Sequence, residues 1–390
     1  MNTPRDSLTR SLGHEAEQFS ARGGTELDLA QVLDRAGEIR RGRRMRASLL
    51  MAACVLAVAA PVGIVALDHD SARREPTPAR PVVDHSPLTL SGLQPGAAPH
   101  TGYVVGRDLH RGTTTSRLPA GDRVVAFAAF KGGVMIAVRD SQGDLRARRL
   151  DSGPTWPMSG GFAVSAGRDV VAFAQPDGTP VVVQGDTATT LPKIAAGSGF
   201  DAVAVSGEEC TDTSTACSVW VDSRGQEPAA WISTAGGSAE PAGAGMVSVA
   251  DVISGRLVAG TTSVTDTGSC SAVVDAGGTT VWSTCEHRLL SFSPDGRRLL
   301  ASAAYADGLG DTGLTVLDAG TGKVGLDLSV ADGGAITQMV WEDDTHVLAV
   351  VYQGNRWGVV RIGLDGRREL AVAPVRDSGD LGSPFVLPPA

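Results

Sequence analysis

The chain has 390 residues, long enough for one large domain or two of ordinary size, and its 42% apolar and 20% charged content marks most of it as globular. Forty-nine glycines and 21 prolines against 4% aromatics favour many short strands and tight turns over a helical bundle. A net charge of −9 argues against nucleic-acid binding, which needs clustered cations; with 31 arginines and only three lysines, the composition suggests a GC-rich bacterial genome.

Residues 1–46 carry nine arginines and seven acidic residues, whereas residues 101–390 are strongly acidic, so the charge is split along the chain. Within 1–46, Leu29, Val32, Leu33, Ala36 and Ile39 recur at helical spacing, with Thr25 as a cap. This segment is too short to bury a core, so it is expected to be a cytosolic amphipathic and basic piece whose apolar helix face takes a partner.

Ala47 to Leu67 is an uncharged run of 21 residues, which as a helix spans roughly 31 Å, about one hydrocarbon core. A buried core helix is the alternative, though soluble helices rarely lack a polar face for so long. Arg40, Arg41, Arg43, Arg44 and Arg46 precede the run, and Asp68 and Asp70 follow it. The positive-inside rule then sets the N-terminus in the cytoplasm and the rest outside. Ala57-Val58-Ala59 resembles a signal-peptide cleavage site, but 46 residues ahead of the run exceed a usual n-region, so an uncleaved signal anchor of a bacterial cell membrane is the expectation. Membrane lipid is its partner, and the arginines also suit anionic headgroups. Residues 68–100 hold six prolines and read as an extracytoplasmic linker.

From residue 101 the pattern is that of strands. Apolar strand starts at Asp122, Gly161, Phe200, Met246, Arg288, Thr337 and Pro384 are spaced 39 to 49 residues apart, averaging about 44. A four-stranded propeller blade takes about 40–45 residues. The last start has room for one strand only, while residues 102–119 read as strands with no inner strand before them. A closed ring resolves both, with the C-terminal strand completing the blade begun by 102–119. The expectation is an all-β propeller over 101–390 with seven blades, six and eight being the neighbouring counts.

Leu290-Ser291-Phe292-Ser293-Pro294-Asp295-Gly296-Arg297-Arg298-Leu299-Leu300-Ala301 resembles the repeat of WD40-like and TolB-type propellers, and Leu314 to Lys323 is similar to the outer strands of such a blade. Gly-His and Trp-Asp signatures of standard WD40 repeats are missing. The resemblance implies a fold and hardly an activity. Separately, Glu26 to Ala36 and the arginines after it resemble the cytosolic parts of actinobacterial membrane proteins encoded beside extracytoplasmic-function sigma factors. That resemblance implies a sigma-factor partner at 1–46 and an anti-sigma role, although the usual His/Cys zinc motif is missing.

Cys54 falls in the apolar run, which leaves Cys210, Cys217, Cys270 and Cys285 outside, an even number with three pairings. Centring a hairpin on Gly277-Gly278 brings Cys270 opposite Cys285 at disulfide range, and Cys210 and Cys217 flank a short polar loop. Disulfides are expected; free buried thiols are the alternative, and neither pair has zinc-site spacing.

No serine has glycine at both ±2, and no His-Glu-x-x-His, phosphate-cradling or EF-hand pattern is present. His287 and His346 stand in neighbouring blades, so a shared site is conceivable, but surface positions explain them more simply. The Asp307–Asp311 turn has the composition of a loose calcium loop and is explained as well by a long turn. The tryptophans are expected to pack between blades. No catalytic set, cofactor site or metal site is recognisable. The expected function is therefore a non-enzymatic single-pass protein whose propeller binds or senses an extracytoplasmic ligand or partner. The alternatives are a propeller-type hydrolase or lyase acting on envelope carbohydrate or peptide, and a TolB-like assembly scaffold.

Overall fold

The structure is a computed structural model. It describes residues 87–389 apart from 119–122, 152, 212, 213, 215, 225–228, 244, 254, 255, 307–309, 332, 380 and 381. The basic cluster Arg40–Arg46, the helix face Leu29–Ile39, the apolar run 47–67 and linker residues 68–86 lie outside the described residues. Among the described residues no helix is long and apolar enough to cross a membrane.

Among the described residues, twenty-eight strands form seven four-stranded antiparallel sheets, the blades of a β-propeller. In chain order, β1 (Tyr103–Val105), β2 (Asp108–Arg111) and β3 (Thr114–Arg117) begin blade 1. Blade 2 holds β4 (Arg123–Phe130), β5 (Gly133–Arg139), β6 (Leu145–Arg149) and β7 (Thr155–Pro157), and blade 3 holds β8 (Ala163–Val164), β9 (Val170–Ala174), β10 (Pro180–Gln184) and β11 (Thr187–Thr190). Blade 4 is β12 (Asp201–Ser206), β13 (Ser218–Ser223), β14 (Ala229–Thr234) and β15 (Ala239–Pro241); blade 5 is β16 (Ser248–Ile253), β17 (Leu257–Thr265), β18 (Gly268–Asp275) and β19 (Thr280–Thr284). Blade 6 is β20 (His287–Phe292), β21 (Arg298–Ala303), β22 (Gly313–Asp318) and β23 (Val324–Ser329). Blade 7 is β24 (Ala335–Trp341), β25 (His346–Gln353), β26 (Arg356–Gly363) and β27 (Arg368–Arg376). Finally β28 (Phe385–Val386) returns to blade 1 as its innermost strand. Each start expected from the repeat spacing falls within two residues of an inner strand.

Alternation within the strands explains how the blades stack. In β25, Val347, Ala349 and Val351 face blade 6, while Leu348 and Val350 face blade 1. Both faces are apolar because both are covered, unlike those of a half-exposed sheet. The core is consequently divided into seven hydrophobic clusters, one at each blade–blade interface. Ring closure uses the same logic in two residues. Val104 pairs with Val386 and Val105 with Phe385. Phe385 enters the cluster shared with blade 7, and Val386 the one shared with blade 2.

Five inner strands carry a register shift at the same place, leaving Val125, Val203, Ala250, Leu290 and Thr337 unpaired. Such bulges re-aim side chains and bend the strand.

The linker expectation for 68–100 changes at its C-terminal end. Residues 87–100 run along blades 6 and 7: Leu88 bridges Val330 in parallel, and Pro95 bridges Leu370. Leu88 is fully buried among side chains of those blades. Arg361 donates to the carbonyls of Ala97 (2.9 Å) and Ala98 (3.2 Å), and the His100 N–H donates to Glu342 at 2.7 Å. Arg361 itself is ion-paired with buried Glu342 and with Glu369. Prolines signal extension, which holds here, but the partners of an extended segment are tertiary and invisible in composition.

Both local disulfides form, Cys210–Cys217 and Cys270–Cys285, with Cα separations of 5.1 and 4.0 Å. The second hairpin is wider at its tip than a two-residue turn: Asp275 N–H bonds the Thr279 carbonyl and Gly278 N–H the Asp275 carbonyl. A bulge at Val281 then restores the register that sets Cys270 beside Cys285.

Two stability outcomes follow from this packing. Truncating Phe385 to Ala should cost about 3–5 kcal/mol in denaturant unfolding, against less than about 0.5 for Val281→Ala on the surface. Replacing Arg361 with Met strands Glu342 as a buried unpaired charge, and should cost about 3 kcal/mol or more while opening residues 87–100 to limited proteolysis.

Candidate binding site in the central cavity

The inner strands of blades 3 to 7 enclose a cavity of about 840 Å³ on the propeller axis, to which C-terminal Pro389 also contributes. Bulged residues Val203, Ala250, Leu290 and Thr337 all reach its wall. Apolar and polar groups alternate around its lining: blades 3 and 4 present Val164, Val203 and Val205 with Arg168 and Glu208, and blades 5, 6 and 7 present Leu290, Phe292 and Met339 with Asp251, Ser291, Thr337 and Gln338.

Most charged groups at the wall are already paired. Arg288 donates through Nη2 to both carboxylate oxygens of Asp311 at 3.0 Å. That bond also commits the Asp311 end of the Asp307–Asp311 turn, whose residues 307–309 lie outside the described residues. Glu342 is held by Arg361; although burial opposes its ionisation, the guanidinium bonds and the His100 N–H keep its carboxyl below the usual range. At the wall, Glu208 accepts from Ser165 Oγ (2.6 Å) and Gly167 N–H (2.8 Å).

Asp251 is different. It follows the bulge in β16, and its carboxylate accepts the Phe292 N–H of blade 6 at 2.8 Å and the Val252 N–H at 2.7 Å. Enclosure by protein pushes its pKa up to about 7, opposed only by those two backbone bonds, with no cation contributing. Asp222, which staples blade 4 to Ser248 and Val249 of blade 5, is likewise raised by burial, to about 6.

Arg168 is the second unusual group. It occupies a left-handed backbone conformation, φ 59°, in the turn from β8 to β9. The turn Ser165–Val170 repeats Ser293–Arg298 of blade 6 bond for bond. In each, the serine N–H reaches the carbonyl five residues on, the N–H of the fourth residue returns to the serine carbonyl, and the serine Oγ caps the closing N–H. Gly296, φ 70°, fills the fourth position in blade 6, where the lack of a Cβ makes that conformation free of strain. Blade 3 spends an arginine there. Burial lowers the pKa of its guanidinium, and among the described residues its hydrogen bond goes to the Ala129 carbonyl at 3.3 Å.

The structure does not bring the two sequence-flagged histidines together. His287 opens inner strand β20, whereas His346 opens the antiparallel second strand β25, at the opposite end of its blade, and bonds Asp343 through Nδ1. Indole N–H groups of Trp282 and Trp341 reach carbonyls in the neighbouring blade, consistent with packing between blades. Among the described residues no group of three or more His, Cys, Asp or Glu side chains is placed to hold a metal. Sequence reasoning passed over Asp251 and Arg168. Their signals were an acid inside the apolar run Ser248–Ile253, and an arginine where the Ser-Pro-Asp-Gly turn has glycine.

No protein-family model matches the chain, and no curated protein matches it. Solved structures similar to it include the β-propeller domain of Cps50 (Swd1) from Myceliophteria thermophila, with 9% identity over 65% of this chain and 86% of that one, TM-score 0.46. A chain of the mitotic checkpoint complex has 12% identity over 79% and 87%, TM-score 0.42. Dihydro-heme d1 dehydrogenase NirN in complex with DHE has 12% identity over 75% and 78%, TM-score 0.40. At these levels the fold assignment rests on the chain's own seven WD40-like blades.

Asp251 also sets a pH dependence. Its folded-state pKa lies above that of an unfolded aspartate, so the folded protein holds the proton longer, and the cost of ionising it grows as pH rises from about 4 through 7. Asp251→Asn removes the titration but sets its amide N–H₂ against one of the two backbone N–H donors, so the variant starts less stable near pH 4. Measured by melting curves, the stability of wild type relative to the variant should fall by about 2–4 kcal/mol between pH 4 and pH 8.

Proposed function

We infer that the chain is a non-enzymatic binding protein whose propeller takes a small ligand in its central cavity. The observation that carries this reading is the cavity itself. Its volume of about 840 Å³ lies within the range of small-molecule sites, and it combines an apolar wall with a few convergent polar groups. Inner-strand bulges direct side chains into it from four blades. The separation of His287 from His346, and the pairing of Arg288 with Asp311, support binding over turnover.

The N-terminal sequence extends the reading. A signal anchor at 47–67 tethers the propeller outside the cell membrane, and the helix face Leu29, Val32, Leu33, Ala36 and Ile39 offers a cytosolic contact for a sigma factor. What supports this is the basic cluster Arg40–Arg46 ahead of the apolar run and the two disulfides beyond it. Attachment of residues 87–100 to blades 6 and 7 gives the tether a fixed point next to the cavity wall.

A thermal-shift screen of the full chain in detergent against small molecules of varied charge tests the reading. Stabilising compounds should be found, and Val203→Trp, which fills the cavity from the bulge of β12, should abolish their effect. Shifts that persist in Val203→Trp, or an empty screen, would contradict it.

A further inference from the structure

Among the described residues, Asp251 and Arg168 on the cavity wall have no ion-pair partner; Glu208, also at the wall, is exposed and held by Ser165 and Gly167. Glu342 has Arg361, and Asp311 has Arg288. Asp251 has two backbone N–H donors, one on each carboxylate oxygen, and among the described residues no cation, so each oxygen keeps acceptor capacity. Arg168 has one long bond to a carbonyl and, among the described residues, no carboxylate. A guanidinium offers five donors in a fork shaped for a carboxylate, so most of its capacity is unspent.

The turn that holds Arg168 does not account for the arginine. The Arg168 turn closes equally well with glycine, as blade 6 shows with Gly296, so the strained arginine adds nothing to the hairpin. Backbone strain retained without structural gain points to a role for the side chain. Asp251 staples blade 5 to blade 6 through Phe292, as Gln338 staples blade 7 to Leu387, and it stands at the same time among the residues that line the cavity. The charges are opposite in sign and stand on blades 3 and 5, with the apolar inner strand of blade 4 between them. Beyond them, the buried Thr337 Oγ1 has no hydrogen-bond partner, and Gln338 uses its Oε1 on the Leu387 N–H, which leaves its amide N–H₂ for a further acceptor.

We propose that the ligand of the central cavity is a zwitterion of the amino-acid or short-peptide class, its carboxylate taken by Arg168 and its ammonium group by Asp251. The proposal rests on the reading of the cavity as the binding site. A small zwitterion neutralises both walls at once, and its amide groups find Thr337 and Gln338 on blade 7. A single anion would leave Asp251 uncompensated, and a single cation would leave Arg168 so.

Calorimetric titration of the full chain in detergent with trialanine, N-acetyl-trialanine and trialanine amide tests it. Trialanine should bind, and each cap should weaken binding about tenfold or more by removing one charge-assisted contact. In Asp251→Asn, acetylation should lose its effect while amidation keeps it; in Arg168→Gly the reverse should hold. Arg168→Gly should also raise the melting temperature by relieving the backbone, which separates loss of binding from loss of fold. Capped peptides that bind as tightly as trialanine, or cap effects unchanged in the variants, would overturn the proposal. If no tripeptide binds but other compounds do, in a manner lost in Val203→Trp, the zwitterion falls and the cavity reading stands. If nothing binds by either assay, both fall.

Discussion

Strand β28 supplies the innermost strand of a blade whose other three strands come from the opposite end of the described chain, through two register pairs, Val104 with Val386 and Val105 with Phe385. A propeller has no single core: each blade buries its two faces only against its two neighbours. An unclosed row of blades would leave two broad apolar faces in water, and blade 1 without β28 would present β1 as an open edge. Because β28 divides its side chains between the clusters on either side of blade 1, its seating completes two interfaces at once.

The cavity's chemistry follows from how inner strands meet the axis. A regular strand presents alternate residues to its two blade neighbours and leaves little for the axis. The bulge found in five inner strands breaks that alternation and turns one position inward. Those positions are hydrophobic in blades 4, 5 and 6 and a threonine in blade 7, and the residue after the bulge supplies Asp251, Ser291 and Gln338. Irregularity in the sheet thus brings Asp251, Ser291 and Gln338 to the wall, whereas Arg168 and Glu208 reach it from loops that follow the inner strands. A similar economy governs the links between blades. Carboxylates such as Asp222 and Asp251 accept N–H groups that the neighbouring inner strand cannot pair within its own sheet.

Much of this was legible in the sequence, for identifiable reasons. Blade spacing is imposed by four short strands and their turns, so apolar starts recur near 44 residues. The orphan final strand and the blade at 102–119 that lacked one have a single economical solution. Cys270 and Cys285 were placed by counting outward from a glycine pair, and the count survived a wider turn because the Val281 bulge compensates for it. Tertiary partnership was not legible. Residues 87–100 look like a linker because proline fixes φ without revealing neighbours, yet Leu88 is buried. Glu342, directly after β24, gave no hint of Arg361, nineteen residues later and two strands away. Arg168 and Asp251 stood out only once equivalent positions in other blades were superimposed by hydrogen bonding.

Ring closure is tested most directly by cross-linking the two ends of the circle. In the double variant Val104→Cys with Val386→Cys, the directly opposed Cα atoms of an antiparallel pair fall at about 4.5–5.5 Å, within disulfide range. Oxidation followed by peptide mass mapping under non-reducing conditions should recover the peptide around residue 104 joined to that around residue 386 within one chain, with the native Cys210–Cys217 and Cys270–Cys285 bridges intact. Absence of that linkage, or its formation only between two chains, would mean that the circle is not closed by β28.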